Sequence, residues 1–221
     1  MINQLIDEAL IAHGFSKEHA SDVSSFYIRQ SGSAIRFAVL HKLDGLLPPT
    51  ELNAIINQSA PESFTDNPTF KKNCDLICIH HLNKLAEFKD HEEQIFAIEE
   101  DPHFFKKYVL YYSDAEESAL KDYSFEKLKE TIADKKQFLD YKNDPLKATQ
   151  YSVAAKIFIK LPFLELPFKK GNMISLRLQA AEAVAEADLD ATYEFVQGFT
   201  NKDADDMIKE MIKNELANIA D

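Results

Sequence analysis

The run from Cys74 to His80 (CDLICIH) constrains the fold more than any other part of the chain. It is almost continuously apolar, yet far shorter than the roughly 18 residues a membrane helix requires. A short apolar run of this kind reads as a strand buried on both faces, hence a central strand of a layered sheet. Tyr108 to Tyr112 (YVLYY) is a second such run, and His91 to Glu100 between them reads as a short helix. Strand, helix, strand in this order predicts helices packed on a sheet.

The preceding residues extend that pattern. Residues 2–12 place Ile2, Leu5, Ile6, Ala9 and Leu10 on one helical face, and Gly14 is positioned to stop the helix. Phe26 to Gln30 and Ala34 to Lys42 alternate with period two around Ser31-Gly32-Ser33, the pattern of a hairpin. Leu46-Leu47-Pro48-Pro49 breaks the second strand, and Thr50 can cap a helix from Glu51 to about Gln58. Ser113 or Asp114 can cap a helix after the YVLYY strand. Beyond Ser118 strand signals almost vanish. Residues 125–141 read as a helix stopped by Asn143-Asp144-Pro145, and 151–161 as a helix or extended apolar segment ended by Pro162 and Pro167. Residues 173–198 and 203–219 read as two more helices. The expected class is α+β: an α/β-like N-terminal half with a small mixed sheet (1–118) and an all-helical C-terminal half (119–221).

Composition narrows the chemistry. The five glycines are isolated, so no phosphate-cradling loop or dinucleotide fingerprint can be drawn. No G-x-S-x-G or H-E-x-x-H occurs. With 16 Phe and no Trp, the core is expected to be Phe-rich. The net charge of −12 opposes free duplex DNA, and the only arginines are Arg29, Arg36 and Arg177. DNA contact is therefore expected only in the company of a basic partner. From Asn172 onward 4 Lys/Arg stand against 11 Asp/Glu, either a solvated helix face or one that docks on a basic partner. Two cysteines make no disulfide scaffold, and the start (Met1 to His13, with Asp7 and Glu8) is unlike a cationic export signal. No membrane association and a cytoplasmic location are expected.

Two clusters invite a metal. Cys74 and Cys78, with His80 and His81 beside them, share one strand, where residues four apart lie roughly 13 Å from each other. That is too far for one ion, so two small buried hydrophobes is the expected role of the thiols. Asp75, Glu99 and Lys107, with Glu100 adjacent, could compose a metal-dependent nuclease site if folding converged them. Against this, Asp101-Pro102 can simply end a helix and turn the chain into the next strand. No catalytic residue, metal ligand or cofactor is assigned.

Two segments taken together carry a family resemblance: Phe96 to Tyr112 (FAIEEDPHFFKKYVLYY) and Ile157 to Pro167 (IFIKLPFLELP). They resemble the small middle component of ABC-three-component systems, which overlap with Lamassu-type bacterial anti-phage and anti-plasmid defence. The resemblance implies an accessory subunit without catalytic residues. In such systems an SMC-like (Rad50-like) ATPase supplies nucleotide chemistry and DNA sensing, and an effector, often a nuclease, supplies toxicity. The middle component is similar to an adaptor bound to both, with DNA touched only within the complex. The second segment is the candidate contact surface. Phe158, Leu161, Phe163, Leu164, Leu166 and Phe168 crowd around two prolines that forbid regular strand pairing. Such residues must be buried, either in the chain's own core or under another subunit.

Overall fold

Alternation along the strands sorts the apolar residues into two cores, one on each side of a single sheet. The computed structural model describes residues 1–167, 175–197 and 204–219. Five strands, β1 (Ser16–Ala20), β2 (Ser24–Ser31), β3 (Ala34–Leu43), β4 (Cys74–Leu82) and β5 (Lys106–Ser113), lie in sequential order. The first three form an antiparallel meander, while β3/β4 and β4/β5 are parallel. Each parallel step needs a crossover, and helices supply both.

On β4, Cys74, Leu76 and Cys78 face one core while Ile77 and Ile79 face the other. The first core is closed by α2 (Pro49–Ser59), the single turn α3 (Glu62–Thr65) and α4 (Phe88–Glu99), through Leu52, Ile56, Phe64, Ile95 and Ile98. Its centre is aromatic: Phe37, Phe64 and Phe70 meet pairwise at 4.9–5.3 Å between ring centroids. The opposite core is closed by α1 (Ile2–Ala12), α6 (Phe125–Ala133) and α8 (Gln150–Lys160). The short α5 (Asp114–Ala119) follows β5, and α7 (Lys135–Asn143) lies between α6 and α8.

Local chemistry explains most boundaries. Gly14 has φ +78°, a conformation that ends α1 at little cost only for glycine. Gly32 has φ +59° and Ser33 is not positive, the pattern of a type II′ turn joining Ser31 to its partner Ala34. Ser113 and Glu116 form a reciprocal capping box at the start of α5.

Four details of residues 1–167 differ from expectation. Thr50 does not cap α2: the helix begins at Pro49, whose missing N–H suits the first helical position. The helix expected over 125–141 is two, because the Asp134 carboxylate accepts from the backbone N–H of Lys136 and Gln137 and starts α7 afresh. Strand β1 has no apolar alternation, being exposed throughout, and exists as an edge strand on β2 with a register irregularity between Lys17 and His19. The boundary expected near residue 118 falls inside the first of two compact units, Met1–Phe168 and Lys169–Asp221. Helices α6 and α8 bury Leu128, Ile132, Val153 and Ile157 against Ile77 and Leu110 of the sheet, so they cannot leave it without exposing a core.

In the second unit the single helix expected over 173–198 is two, α9 (Leu176–Glu186) and α10 (Asp190–Gln197), and α11 (Ala204–Ile219) follows. Ser175 caps α9 by accepting from Leu178 N–H. On α11, Ile208, Ile212 and Leu216 are exposed. The whole is the α+β arrangement expected: a mixed sheet with helices first, then helices only. Among the described residues no helix is long and apolar enough to cross a membrane.

Candidate functional site: an apolar groove on the helical face

Helix α8 is positioned by its cap. Thr149 and Ser152 bond reciprocally at its N-terminus, and Val153, Ala154 and Ile157 then face the core. This leaves Ile159 on the outside, 73% exposed. Helix α7, restarted by Asp134, has no buried residue and presents Phe138 and Leu139 outward. Between them Ile132, Phe138, Tyr141, Tyr151, Phe158 and Leu166 wall an open groove of about 610 Å³, with Asp134 and Lys135 also in its lining. Exposed apolar surface concentrated in a groove marks an interaction site more strongly than scattered exposed residues do.

Of the six residues expected to form a contact surface, the five that the structure describes divide between two environments. Leu161 (0% exposed) and Phe163 lie in the chain's own core, Phe163 against Phe15 at 5.2 Å and His13 at 5.7 Å. Leu164 packs partly buried on the same core. Phe158 stacks on Phe125 at 6.4 Å and also walls the groove. Leu166 is exposed and joins it at the rim. Phe168 lies outside the described residues. Phe138, Tyr141 and Ile159 complete the groove and were missed in the sequence. Their signal was the Asp134 cap, which changes the face that α7 presents.

The residues considered for metal or nuclease chemistry do not converge. Asp75 and Lys107 point to opposite faces of the sheet, as the alternation along β4 and β5 requires. Asp75 accepts Arg36 Nε at 2.7 Å. Glu99 accepts Lys160 Nζ at 2.5 Å and the Val109 N–H at 2.7 Å. Lys107, its side chain fully buried, pairs with Asp101 at 2.8 Å and donates to the carbonyls of His103 and Phe105. Burial would raise the Asp101 carboxyl, but Lys107 and Asn53 hold it below its usual pKa. Glu100 ends α4, exposed. Cys74 and Cys78 are free, buried thiols, and burial pushes Cys78 up to about 12 and Cys74 upward as well. His80 faces His91 on α4, while His81 bonds Asp114 at 2.6 Å. Among the described residues no group of three or more His, Cys, Asp or Glu could hold a metal ion.

A helix-flanked mixed sheet whose Asp75, Glu99 and Lys107 are each tied into a separate pair, and whose helical face carries an open apolar groove, defines a protein of α+β class. Residues 37–136 match the family model for the ABC-three component (ABC-3C) system Middle Component 1. The matched span contains Phe96–Tyr112, the first of the two segments that carry the resemblance, and stops short of the second, Ile157–Pro167. The matched span runs from β3 into α7. No curated protein and no solved structure matches.

Proposed function

We propose that this chain is the non-catalytic adaptor of a Lamassu-like bacterial defence complex. It binds an SMC-like (Rad50-like) ATPase, helps control a nuclease effector against phage or plasmid DNA, and acts in the cytoplasm. The match to a middle-component family supports membership of such an assembly. The groove walled by Phe138, Tyr151, Phe158 and Leu166 supports binding as the mode of action. An ATPase of that class carries long helices with apolar stripes, and a helix laid in an apolar groove is a recurring recognition mode. Within the Pro-broken segment, Phe158 and Leu166 offer contact area in the groove, while Leu161 and Phe163 anchor the segment in the chain's own core.

The test is co-expression with the neighbouring ATPase and affinity capture. The unaltered chain is expected to capture the ATPase. Phe138→Asp combined with Ile159→Asp is expected to lose it while melting as before, because both positions are exposed in the lone chain and a charge buried at an interface core is costly. Capture that survives the double change removes the groove as the contact. A chain that stays monomeric beside its ATPase removes the adaptor reading altogether.

A further inference from the structure

Two of the chain's three arginines face each other across the hairpin: Arg29 on β2 is the direct register partner of Arg36 on β3. Like charges directly opposite on a sheet destabilise it, so this placement needs a reason. The row continues across the next two strands, where Asp75 on β4 pairs in register with Lys106 on β5. By strand alternation all four side chains share the face of Tyr27, Ala38, Ile77 and Leu110. They line one open cleft of about 260 Å³, together with Ser31 and Asn73. One carboxylate thus sits among three cations, in a protein whose net charge is −12.

Both guanidinium groups are held in place before any ligand arrives. Asp75, only 3% exposed, accepts Arg36 through Nε at 2.7 Å, a contact that leaves the two Nη groups of Arg36 unengaged. Arg29 donates one Nη to the His13 carbonyl at 3.1 Å and lies over the Phe15 ring at 4.8 Å. Among the described residues neither Arg29 nor Lys106 forms an ion pair. Fixing side chains beforehand reduces the entropy lost on binding, and the planar guanidinium fork matches phosphate oxygens.

We propose that this cleft binds a phosphate monoester, with Arg29, Arg36 and Lys106 as the charge-bearing contacts and Asp75 as the residue that positions Arg36. The uncompensated charge of three cations against one carboxylate suits a monoester, which carries about −1.5 to −2 at neutral pH. The volume is below the roughly 300–1,000 Å³ of sites that enclose a drug-sized ligand, so the cleft takes the charged group of a molecule that projects from it. Two sources share this chemistry: a free mononucleotide and the 5′-phosphorylated end of a nucleic-acid strand. The inference is independent of the adaptor reading, because the cleft uses none of the groove residues.

The test is fluorescence polarisation of the full chain at low salt with a labelled single-stranded oligonucleotide, once 5′-phosphorylated and once with a 5′-hydroxyl. The phosphorylated form is expected to bind at least roughly tenfold more tightly, the scale of one charge-assisted contact set. Arg29→Gln and Lys106→Gln should each remove most of that preference and lower the salt dependence by about one counterion. Both are half-buried or exposed positions, and unchanged melting verifies that the variants fold. Arg36→Lys keeps a cation on Asp75 but loses the fork, so it should weaken the preference without the instability of an unpaired Asp75. Competition by adenosine monophosphate points to the mononucleotide; a preference that the mononucleotide does not compete away points to the strand end. Equal binding of the two oligonucleotides with no competition by the mononucleotide, or folded Arg29→Gln and Lys106→Gln variants that keep the full preference, would overturn the proposal.

Discussion

Lys156 on α8 reaches Glu116 on α5 at 2.6 Å, and the Glu116 side chain is wholly buried. The same carboxylate accepts from Ser113 N–H at 3.1 Å and Ser152 Oγ at 3.3 Å, while Lys156 also reaches the Tyr111 carbonyl at 3.4 Å. One buried anion therefore ties α8, the groove wall, to the end of β5. Burial pulls the Lys156 ammonium below its ordinary pKa, and Glu116 works against that pull.

Breaking this pair from one side strands a buried charge. Glu116→Ala is expected to cost about 3–5 kcal/mol in urea unfolding, whereas the paired replacement Glu116→Leu with Lys156→Met recovers most of the loss. A single variant within 1 kcal/mol of the parent, roughly the range of an exposed pair, would show that the pair contributes nothing special.

Two residues separated by one position on α8 and its C-terminal cap should respond oppositely to truncation. Leu161→Ala removes a fully buried side chain and is expected to cost about 2–5 kcal/mol. Ile159→Ala removes an exposed one and should stay within about 0.5 kcal/mol. Urea midpoints of the two variants decide it, and similar losses would mean that the helix is rotated from its described facing.

His80 gives the fold an acid-sensitive point. It is buried, neither ring nitrogen has a hydrogen-bond partner of adequate geometry, and its pKa is lowered by burial, then by His91 and His81, with the Leu43 backbone opposing. His41, bonded to Ser24 at 2.8 Å, is also lowered by burial. A lowered histidine stays neutral when folded, so the unfolded chain takes up protons first as pH falls through 6.5. Stability is therefore fully retained above that value and declines below it, until the folded pKa is passed. Melting temperature should fall between about pH 7.5 and pH 5.5, and His80→Leu should raise it more at the lower pH. A pH-independent difference between variant and parent would count against this.

Glycine positions separate backbone demand from space. At Gly14 a Cβ would meet only Arg29 side-chain carbons, at 3.7–4.0 Å, but the backbone φ is +78°. Gly14→Ala should cost about 1–2 kcal/mol for that conformation alone. Gly45 has open space and no positive φ, so Gly45→Ala should be neutral or stabilise by about 0.4–1 kcal/mol. Thermal unfolding of both checks the contrast, and equal effects would contradict it.

Much of the architecture was legible because each element announces its own face. The CDLICIH run declares a strand buried twice, and Cys74/Leu76/Cys78 against Ile77/Ile79 is that statement in three dimensions. Ser31-Gly32-Ser33 declares a tight turn because a positive φ there suits glycine alone. Strand β1 was not legible: it has no apolar face and owes its shape to pairing with β2. Nor was the groove, since Leu161 and Phe163 read as apolar exactly as Phe158 and Leu166 do, and only packing sorts them.

The sequence by itself determined the apolar periodicity, hence strands β2 to β5, most helices and the two-faced sheet, because those depend on residues close along the chain. It also excluded the common phosphate-binding loops, because these need glycines at short spacing. Tertiary structure alone decided that Asp75 and Lys107 stand on opposite sides of the sheet, and that Arg29, Arg36 and Lys106 share one cleft. Those relationships depend on strand register and on contacts between residues up to 77 positions apart. Register is set by the summed packing of both cores, which no local stretch of sequence contains.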